Sequence, residues 1–345
     1  MAKFKLSRDM GIDLGTSNVV IYAEGKGIVL REPAVVAVDK QTGRVLQVGA
    51  AARNMMGRTP GNIVAIHPLK GGVICDYELT QKMMSEFLKK VIRFSFIKPR
   101  IVVSVPSGVS EVEERAVIQS IMEAGARRVY LLEAPLAAGI GAQLNIEGAN
   151  GYMVIDIGGG STDIAVLSMN GVAESSSLKI AGDAFDEAII RYIRKQFGLA
   201  IGESTAEEVK MTIGCVFPRN EAYAMEVKGR DLKTGLAKVV TVHENDVMEA
   251  MFPVAKQIAE EVLNVLERTS PELIGDISAN GIVLTGGGSQ IWGMDRLLAE
   301  VTQMPCSIAD DTDSCCAYGC GKSLSWIRQM TDGPVNIARQ KQLKD

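Results

Sequence analysis

Short apolar runs alternate with amphipathic stretches along most of this 345-residue chain. Residues 101–106 and 129–132 are runs of strand length, rich in β-branched residues and leucine. Between them, Ser110 and Glu113 have the spacing of a capping box, which predicts a helix that stops at Gly125. The alternation of strands and helices is typical of an α/β protein.

Three later segments have the periodicity or the start signals of helices. In residues 183–197, apolar side chains recur at every fourth position, which predicts one buried helix face. Thr205 and Glu208 have capping-box spacing and predict the start of a further helix that runs to about residue 213. Residues 246–268 have the pattern of a long helix.

One strand–turn–strand pattern occurs twice in the chain. Residues 10–22 and 152–167 each contain an apolar strand that ends near an aspartate, a glycine-containing turn with hydroxyl residues, and a second strand. The aspartates are Asp13 and Asp156, so the copies are about 140 residues apart, which indicates a duplicated domain rather than a short repeat. A third glycine turn lies within residues 282–291, again after an apolar strand.

Composition and charge narrow the classes of function. The chain is 47% hydrophobic and 23% charged, with a formal net charge of −4, so it has no overall attraction to nucleic acid. Six cysteines without paired CxxC spacing, and only two histidines, argue against a structural zinc site. We find no signal peptide and no run of 18 apolar residues, and we expect a cytoplasmic protein with reduced thiols.

The glycine turns have the chemistry of phosphate-binding loops. Glycines at a hairpin tip expose closely spaced backbone amides, and Thr16, Ser17 and Asn18 can add side-chain donors. Asp13 and Asp156, at the strand ends, are placed to hold a hydrated Mg²⁺ through water. Neither turn fits the P-loop pattern or a G-x-G-x-x-G that opens a helix. Each motif alone is weak evidence, but their joint occurrence predicts a nucleotide clamped between two halves.

The sequences DLGTSN, DIGGGSTD and LTGGGS, in this order, resemble the two phosphate motifs and the adenosine motif of the actin, Hsp70 and sugar kinase superfamily. Within it, the chain resembles the MreB family of bacterial actins over nearly its whole length, in segments such as GRTPGNIVAIHPLKGGVICDY and KPRIVVSVPSGVSEVEERAV. The resemblance implies an actin-like ATPase fold: duplicated ribonuclease H-like domains with ATP and Mg²⁺ in the cleft between them.

The resemblance also implies four subdomains. We expect subdomain IA at 1–36, 70–145 and 318–345, IB at 37–69, IIA at 146–181 and 247–317, and IIB at 182–246.

Residues carried over from the family motifs define the expected nucleotide site. The phosphate contacts are Thr16, Ser17, Asn18, Gly158, Gly159 and Gly160. The adenosine contacts are Glu207, Lys210, Gly286, Gly287, Gly288 and Ser289. Without the resemblance, Glu207 and Lys210 would be interpreted as a solvated ion pair three positions apart on a helix.

The segment LLEAPLAAG departs from the family pattern. Related proteins commonly have a glutamate before the proline, and it orients the water that attacks the γ-phosphate. Here that residue is Ala134, which cannot polarise a water, so we expect slow hydrolysis at most, with hydrolysis serving as a filament timer. Two alternatives are Glu133 acting after a small backbone shift, and hydrolysis that relies on Mg²⁺ and Thr162. A smaller departure is Asp163, where the family usually has glutamate.

Aromatic and basic residues alternate in FLKKVIRFSFIKPR, residues 87–100. Spacing alone favours Phe94 and Phe96 as core residues at a helix end, whereas the resemblance implies a membrane-inserting loop that includes Phe94, Phe96 and Ile97. It also implies head-to-tail filaments that pair and lie on the inner face of the cell membrane, directing cell shape and lateral wall synthesis. The implied partners are further copies of the chain, membrane lipid, RodZ, MreC and MreD, with no nucleic acid.

Two alternatives belong to the same superfamily. An Hsp70-like chaperone would need a substrate-binding domain after the ATPase, yet the sequence stops at residue 345. A sugar kinase would need a catalytic base beside an acceptor hydroxyl, and no such pattern is visible in the sequence.

Overall fold

The computed structural model describes residues 9–58, 61–92 and 98–327. Its strands, in chain order, are β1 (Met10–Leu14), β2 (Asn18–Ala23), β3 (Gly27–Pro33), β4 (Val36–Asp39), β5 (Val45–Val48), β6 (Ile63–Ile66), β7 (Leu69–Lys70), β8 (Val73–Ile74), β9 (Arg100–Val105), β10 (Arg128–Glu133), β11 (Tyr152–Ile157), β12 (Thr162–Ser168), β13 (Gly171–Leu178), β14 (Leu199–Ala200), β15 (Ala224–Asp231), β16 (Ala237–His243), β17 (Ile282–Thr285) and β18 (Cys306–Ile308). Its α-helices are α1 (Ala50–Arg53), α2 (Tyr77–Val91), α3 (Glu111–Ala124), α4 (Ala134–Gly141), α5 (Gly182–Phe197), α6 (Glu203–Ile213), α7 (Glu244–Arg268), α8 (Pro271–Asn280), α9 (Met294–Thr302) and α10 (Cys315–Ile327).

Two five-stranded sheets with the same topology form the centres of the two halves. One sheet has the order β3-β2-β1-β9-β10, and the other has the order β13-β12-β11-β17-β18. In each, the first three strands are antiparallel and the last two run parallel to the central strand. The shared topology confirms the duplicated α/β halves that the repeated motif predicted. Two smaller sheets, β5-β4-β6 and β14-β15-β16, extend one half each.

The local signals for helix α3 are confirmed. The Glu113 amide donates to the Ser110 hydroxyl at 3.3 Å, and the Ser110 amide donates to the Glu113 carboxylate at 2.8 Å. The helix ends before Gly125, whose φ of 128° lies in a region that L side chains rarely adopt. The cap therefore fixes where this helix starts, and the glycine fixes where it ends.

The prediction that Thr205 and Glu208 form a capping box is wrong. Helix α6 begins earlier, at Glu203, after Gly202, and no side chain caps it. The Thr205 amide donates to the Gly202 carbonyl at 3.1 Å, so Thr205 already lies inside the first turn. The spacing of a capping box is therefore not sufficient when a glycine upstream can begin the helix.

Helices α4 and α10 lie between the two large sheets. Their buried side chains share one apolar cluster with residues of both halves, including Val102 of β9 and Val154 of β11. A side-chain carbon built at Gly319 would overlap the Ala137 carbonyl, and one at Gly141 would overlap the Cys315 carbonyl. The two helices can approach this closely only because these positions lack side chains.

Each half also has its own buried apolar cluster. The first includes Ile12, Phe87 and Ile121, and the second includes Ile155 and Phe185, with Phe185 on the predicted apolar face of α5. The cysteines at 315, 316 and 320 are buried, as small core residues would be. Among the residues that the structure describes, no helix combines the length and the apolar character needed to cross a bilayer.

Candidate functional site

The glycine tips of the β1–β2 and β11–β12 hairpins face each other across the gap between the halves. A side-chain carbon built at Gly159 would overlap the Ser17 hydroxyl, and one built at Gly160 would overlap the Thr16 hydroxyl. Thr16 is buried, and its hydroxyl oxygen accepts a hydrogen bond from the Gly72 amide at 2.9 Å. The fold thus brings together two turns that are far apart in the sequence, and they approach so closely that only glycine fits at positions 159 and 160.

Two aspartates lie at the bases of these hairpins. The Ser104 hydroxyl donates to Asp13 Oδ1 at 2.7 Å, and the Thr285 hydroxyl donates to Asp156 Oδ1 at 2.8 Å. Asp163 lies opposite Asp156 in the β11–β12 pairing. The three carboxylates therefore form a cluster on the floor of the cleft.

Burial is the largest cause of the raised pKa values in this cluster. It raises the pKa of Asp13 to about 6 and that of Asp156 to about 7, and repulsion from the neighbouring carboxylates adds to both. A nearby divalent cation would favour the charged forms. In the described ranges no group of three or more His, Cys, Asp or Glu side chains converges as direct metal ligands. The pair therefore fits a cation that retains its waters, as Mg²⁺ usually does.

The third glycine turn packs beside the same strand end. Gly286 has a φ of 77°, and a side-chain carbon there would overlap the Ile157 carbonyl. A side-chain carbon at Gly288 would also overlap the Ile157 side chain. The Ser289 hydroxyl is buried and donates to the Gly286 carbonyl at 2.6 Å, so it stabilises the turn itself. The turn thus lies close to Asp156 of the second hairpin.

Helix α6 presents Glu207 and Lys210 to different partners. Glu207 forms an ion pair with Arg53 at the end of α1, which belongs to the other half of the molecule. Lys210 donates to Asp186 at 2.8 Å and to the Gly182 carbonyl at 3.1 Å. The interpretation of Glu207 and Lys210 as a solvated pair with each other is therefore wrong, and Glu207 instead spans the cleft.

The two residues considered for hydrolysis are both buried. The Thr162 hydroxyl donates to the Ile180 carbonyl at 2.7 Å. Ala134 is 8% exposed and packs in the apolar cluster between the halves. In this structure neither presents a polar side-chain atom to the cleft.

The predicted membrane residues Phe94, Phe96 and Ile97 lie outside the described ranges. The helix that precedes them, α2, carries Lys89 and Lys90 in its last turn. Both lysines contact carboxylates: Lys89 contacts Glu86 and Lys90 contacts Glu32, each at 2.7 Å.

Ser107 lies in the site and was not predicted from the sequence. Its amide donates to Asp163 Oδ1 at 3.1 Å, and its hydroxyl donates to Glu133 Oε2 at 2.9 Å. Ser107 follows β9, which runs parallel to β1 and ends at the same edge as Asp13. Because functional residues gather where parallel strands end, the position of Ser107 directly after a predicted strand was the available signal.

A model of the MreB/Mbl protein family matches residues 7–332. The chain belongs to the MreB/Mbl family. The cell shape-determining protein MreB of Escherichia coli (strain K12) is 48% identical over 335 residues, which covers 95% of this chain and 96% of the relative. The family membership that the motifs implied is therefore confirmed.

Solved structures of MreB and related proteins have the same fold. MreB5 of Spiroplasma citri bound to AMPPNP matches with a TM-score of 0.90 and 35% identity, over 94% of this chain and 98% of that one. The chain in the MamK double helical filament matches with a TM-score of 0.79 at 21% identity, over 94% of this chain and 99% of that one, and this match shows the fold alone. This MreB/Mbl protein therefore has the expected actin-like fold.

Proposed function

We propose that this MreB/Mbl protein binds ATP with Mg²⁺ between its two halves and polymerises into filaments that direct cell shape and lateral wall synthesis. The observation that carries the proposal is the pair of glycine tips that face each other beside the half-buried residues Asp13 and Asp156. Backbone amides at glycine tips suit phosphate oxygens, and the aspartates suit a hydrated cation.

The roles proposed for the residues follow their positions. The two tips, with Thr16, Ser17 and Asn18, hold the phosphate chain. Asp13 and Asp156 hold Mg²⁺ through water. The glycine turn at 286–289, together with Glu207 and Lys210 of α6, bounds the adenosine. Support for nucleotide binding also comes from MreB5 of Spiroplasma citri, whose structure was solved with AMPPNP.

Hydrolysis is proposed to be slow. Ala134 supplies only a methyl group, and that methyl is buried. Loss of a water-orienting carboxylate lowers rates by about 10²–10⁴-fold. ATP would therefore persist in the filament longer than in relatives that have a glutamate at this position.

Polymerisation is proposed to place subunits head to tail. Such a contact joins two different surfaces and does not close, so it produces filaments. The MamK double helical filament has subunits of the same fold, which supports this assembly. The expected subdomain boundaries, from IA at 1–36 through IIB at 182–246, remain part of the proposal.

The filament is proposed to lie on the inner face of the cell membrane, bound through Phe94, Phe96 and Ile97. RodZ, MreC and MreD are the proposed partners there. These proposals are supported by the family membership and by the aromatic and basic composition of residues 87–100.

The test measures thermal unfolding and filament pelleting of the nucleotide-free protein. We expect Mg-ATP to raise the unfolding temperature, because a ligand that binds only the folded state stabilises it. We also expect filaments to sediment with anionic liposomes, and a Phe96→Ser/Ile97→Ser variant to form filaments that no longer do so. No thermal shift with any magnesium adenine nucleotide would contradict the proposed function.

A further inference from the structure

A carboxylate other than the expected one faces the cleft. Glu133 ends β10 and occupies the N-cap position of α4, and its side chain makes no capping hydrogen bond to that helix. Instead, its Oε2 accepts the Ser107 hydroxyl at 2.9 Å. The side chain is therefore held away from the helix and towards the end of the neighbouring strand, β9.

Ser107 also forms a hydrogen bond to the second half of the molecule. The Ser107 amide donates to Asp163 Oδ1 at 3.1 Å, and the Ser161 hydroxyl donates to Asp163 Oδ2 at 3.1 Å. Asp163 and Ser161 belong to the second glycine hairpin. A connected series of hydrogen bonds thus runs from that hairpin through Ser107 to Glu133.

The pKa of Asp163 agrees with a Glu133 carboxylate close by. Burial is the main cause of the raised pKa of Asp163, and the negative charge of Glu133 raises it further. Ser107 is 7% exposed, so the bonds it makes are shielded from competing water. Glu133 itself has intermediate exposure.

We infer that Glu133 orients the attacking water in the slow ATP hydrolysis of this chain, and that Ser107, which the second half holds through Asp163 in the closed molecule, positions Glu133. The inference rests on the proposed nucleotide binding. The water oxygen bonds to the γ-phosphorus while the bond from that phosphorus to the bridging oxygen breaks. The Glu133 carboxylate accepts the proton that the water loses, and the products are ADP, inorganic phosphate and a proton.

Ser107 links the position of the Glu133 side chain to closure of the two halves. Its hydroxyl belongs to the first half, and the acceptor of its amide, Asp163, belongs to the second. If the halves separate, the Ser107 amide loses its acceptor, although its hydroxyl still reaches Glu133 within the first half. The closed molecule therefore holds the Ser107–Glu133 contact more firmly, and we expect hydrolysis to be faster in the closed molecule than in the open one.

The test compares single-turnover phosphate release and the affinity for a fluorescent ATP analogue in four variants. We expect Glu133→Gln to lower phosphate release by at least about tenfold, with the affinity changed by less than about threefold. Ser107→Ala should also lower the rate, whereas Ser107→Thr, which keeps the hydroxyl, should retain most of it. Glu111→Gln, on the exposed surface of α3, is the matched control and should leave both quantities unchanged.

Two results separate this inference from the proposed function. If the unsubstituted protein binds no nucleotide, both are overturned. If it binds nucleotide and Glu133→Gln hydrolyses ATP at the same rate, only the inference is overturned.

A second readout does not depend on activity. In a crystal structure with Mg²⁺ and AMPPNP, we expect a water between the γ-phosphate and Glu133, within about 3 Å of the carboxylate. A Glu133 side chain turned away from the γ-phosphate would overturn the inference even if substitution at this position prevented folding.

Discussion

Ala134 contributes a single methyl group at the position where the family resemblance led us to expect a glutamate. We expect Ala134→Glu to raise single-turnover phosphate release by about 10²-fold, because a carboxylate beside the γ-phosphate can orient water. Ala134→Gln is the matched control, since it has similar size but cannot accept a proton. Equal rates in the unsubstituted protein and in both variants would show that position 134 does not cause the slow hydrolysis.

Asp186 gives the stability of the protein a specific pH dependence. Burial is the largest cause that raises its pKa, to about 6 from 3.8, although its partner Lys210 opposes the shift. Its Oδ1 is buried without a hydrogen-bond partner. The folded state therefore holds the proton more tightly than the unfolded state does, and stability decreases as pH rises from about 4 to about 6.

The expected size of this effect is on the order of 3 kcal/mol. We expect Asp186→Asn to flatten the pH dependence of the unfolding temperature across this window. The adjacent Glu187→Gln is the control, because Glu187 is exposed and pairs only with Arg191 on the same helix. The unfolding temperatures of the two variants should depend on pH with different slopes. Parallel profiles would show that Asp186 does not cause this pH dependence.

Single-residue chemistry was predictable where it depended on local sequence. The glycines and aspartates of the repeated motif could be identified because their spacing is contained within a few residues. Ser107 could not be assigned a role, because its amide acceptor lies 56 positions away in the sequence. The same holds for Arg53, whose partner Glu207 lies 154 positions away. Such contacts exist only once the two halves have assembled.

At the scale of elements, the contact between α4 and α10 depends on glycine. We expect Gly319→Ala to destabilise the protein by about 1–3 kcal/mol, because its methyl would overlap the Ala137 carbonyl. The change should lower the midpoint of urea unfolding. Gly275→Ala, in helix α8 with no atom near its new methyl, is the control. Because alanine is the better helix former, Gly275→Ala should not lose stability, and equal losses in both variants would refute close packing as the cause.

The ends of a helix were predicted correctly where the sequence carries a clear capping box and a helix-ending glycine. Ser110, Glu113 and Gly125 fixed α3 from local chemistry alone. The start of α6 was misjudged because Gly202 permits an earlier first turn. The third glycine turn was predicted, but its contact with Ile157 depends on how β11 and β17 pair, which no local pattern records.

At the scale of the whole molecule, Arg53 and Glu207 connect the two halves across the cleft. Both side chains are partly exposed, at 40% and 31%, and such pairs contribute at most about 1 kcal/mol to stability. We therefore expect Arg53→Ala to leave the unfolding temperature nearly unchanged. It should nevertheless speed nucleotide release by about 2–5-fold, since about 1 kcal/mol of closure energy corresponds to that factor.

Stopped-flow release of a fluorescent nucleotide measures this effect. The difference between Arg53→Ala and the unsubstituted protein should shrink at high salt, because partly exposed charges are screened. Arg191→Ala removes an exposed ion pair within α5, outside the cleft, and should not change release. Faster release in both variants would indicate a general charge effect instead.

The architecture as a whole was the most predictable feature. Two copies of one motif predicted two related halves, and the sheets have the same strand order. The relation between the halves was not predictable, because it depends on the buried layer that α4 and α10 form. That layer combines small residues such as Ala137 and Cys320 with larger ones such as Leu136, and neither helix shows an unusual pattern when it is considered alone.

The fit of α4 against α10 limits how the two halves can move. Helix backbones that meet without intervening side chains cannot translate past one another, since a shift of one residue would drive a bulkier position into the facing carbonyl. The easier motion is a rotation about the crossing point. Because displacement in a rotation grows with distance from its axis, the two smaller sheets would move further than the residues near the crossing point.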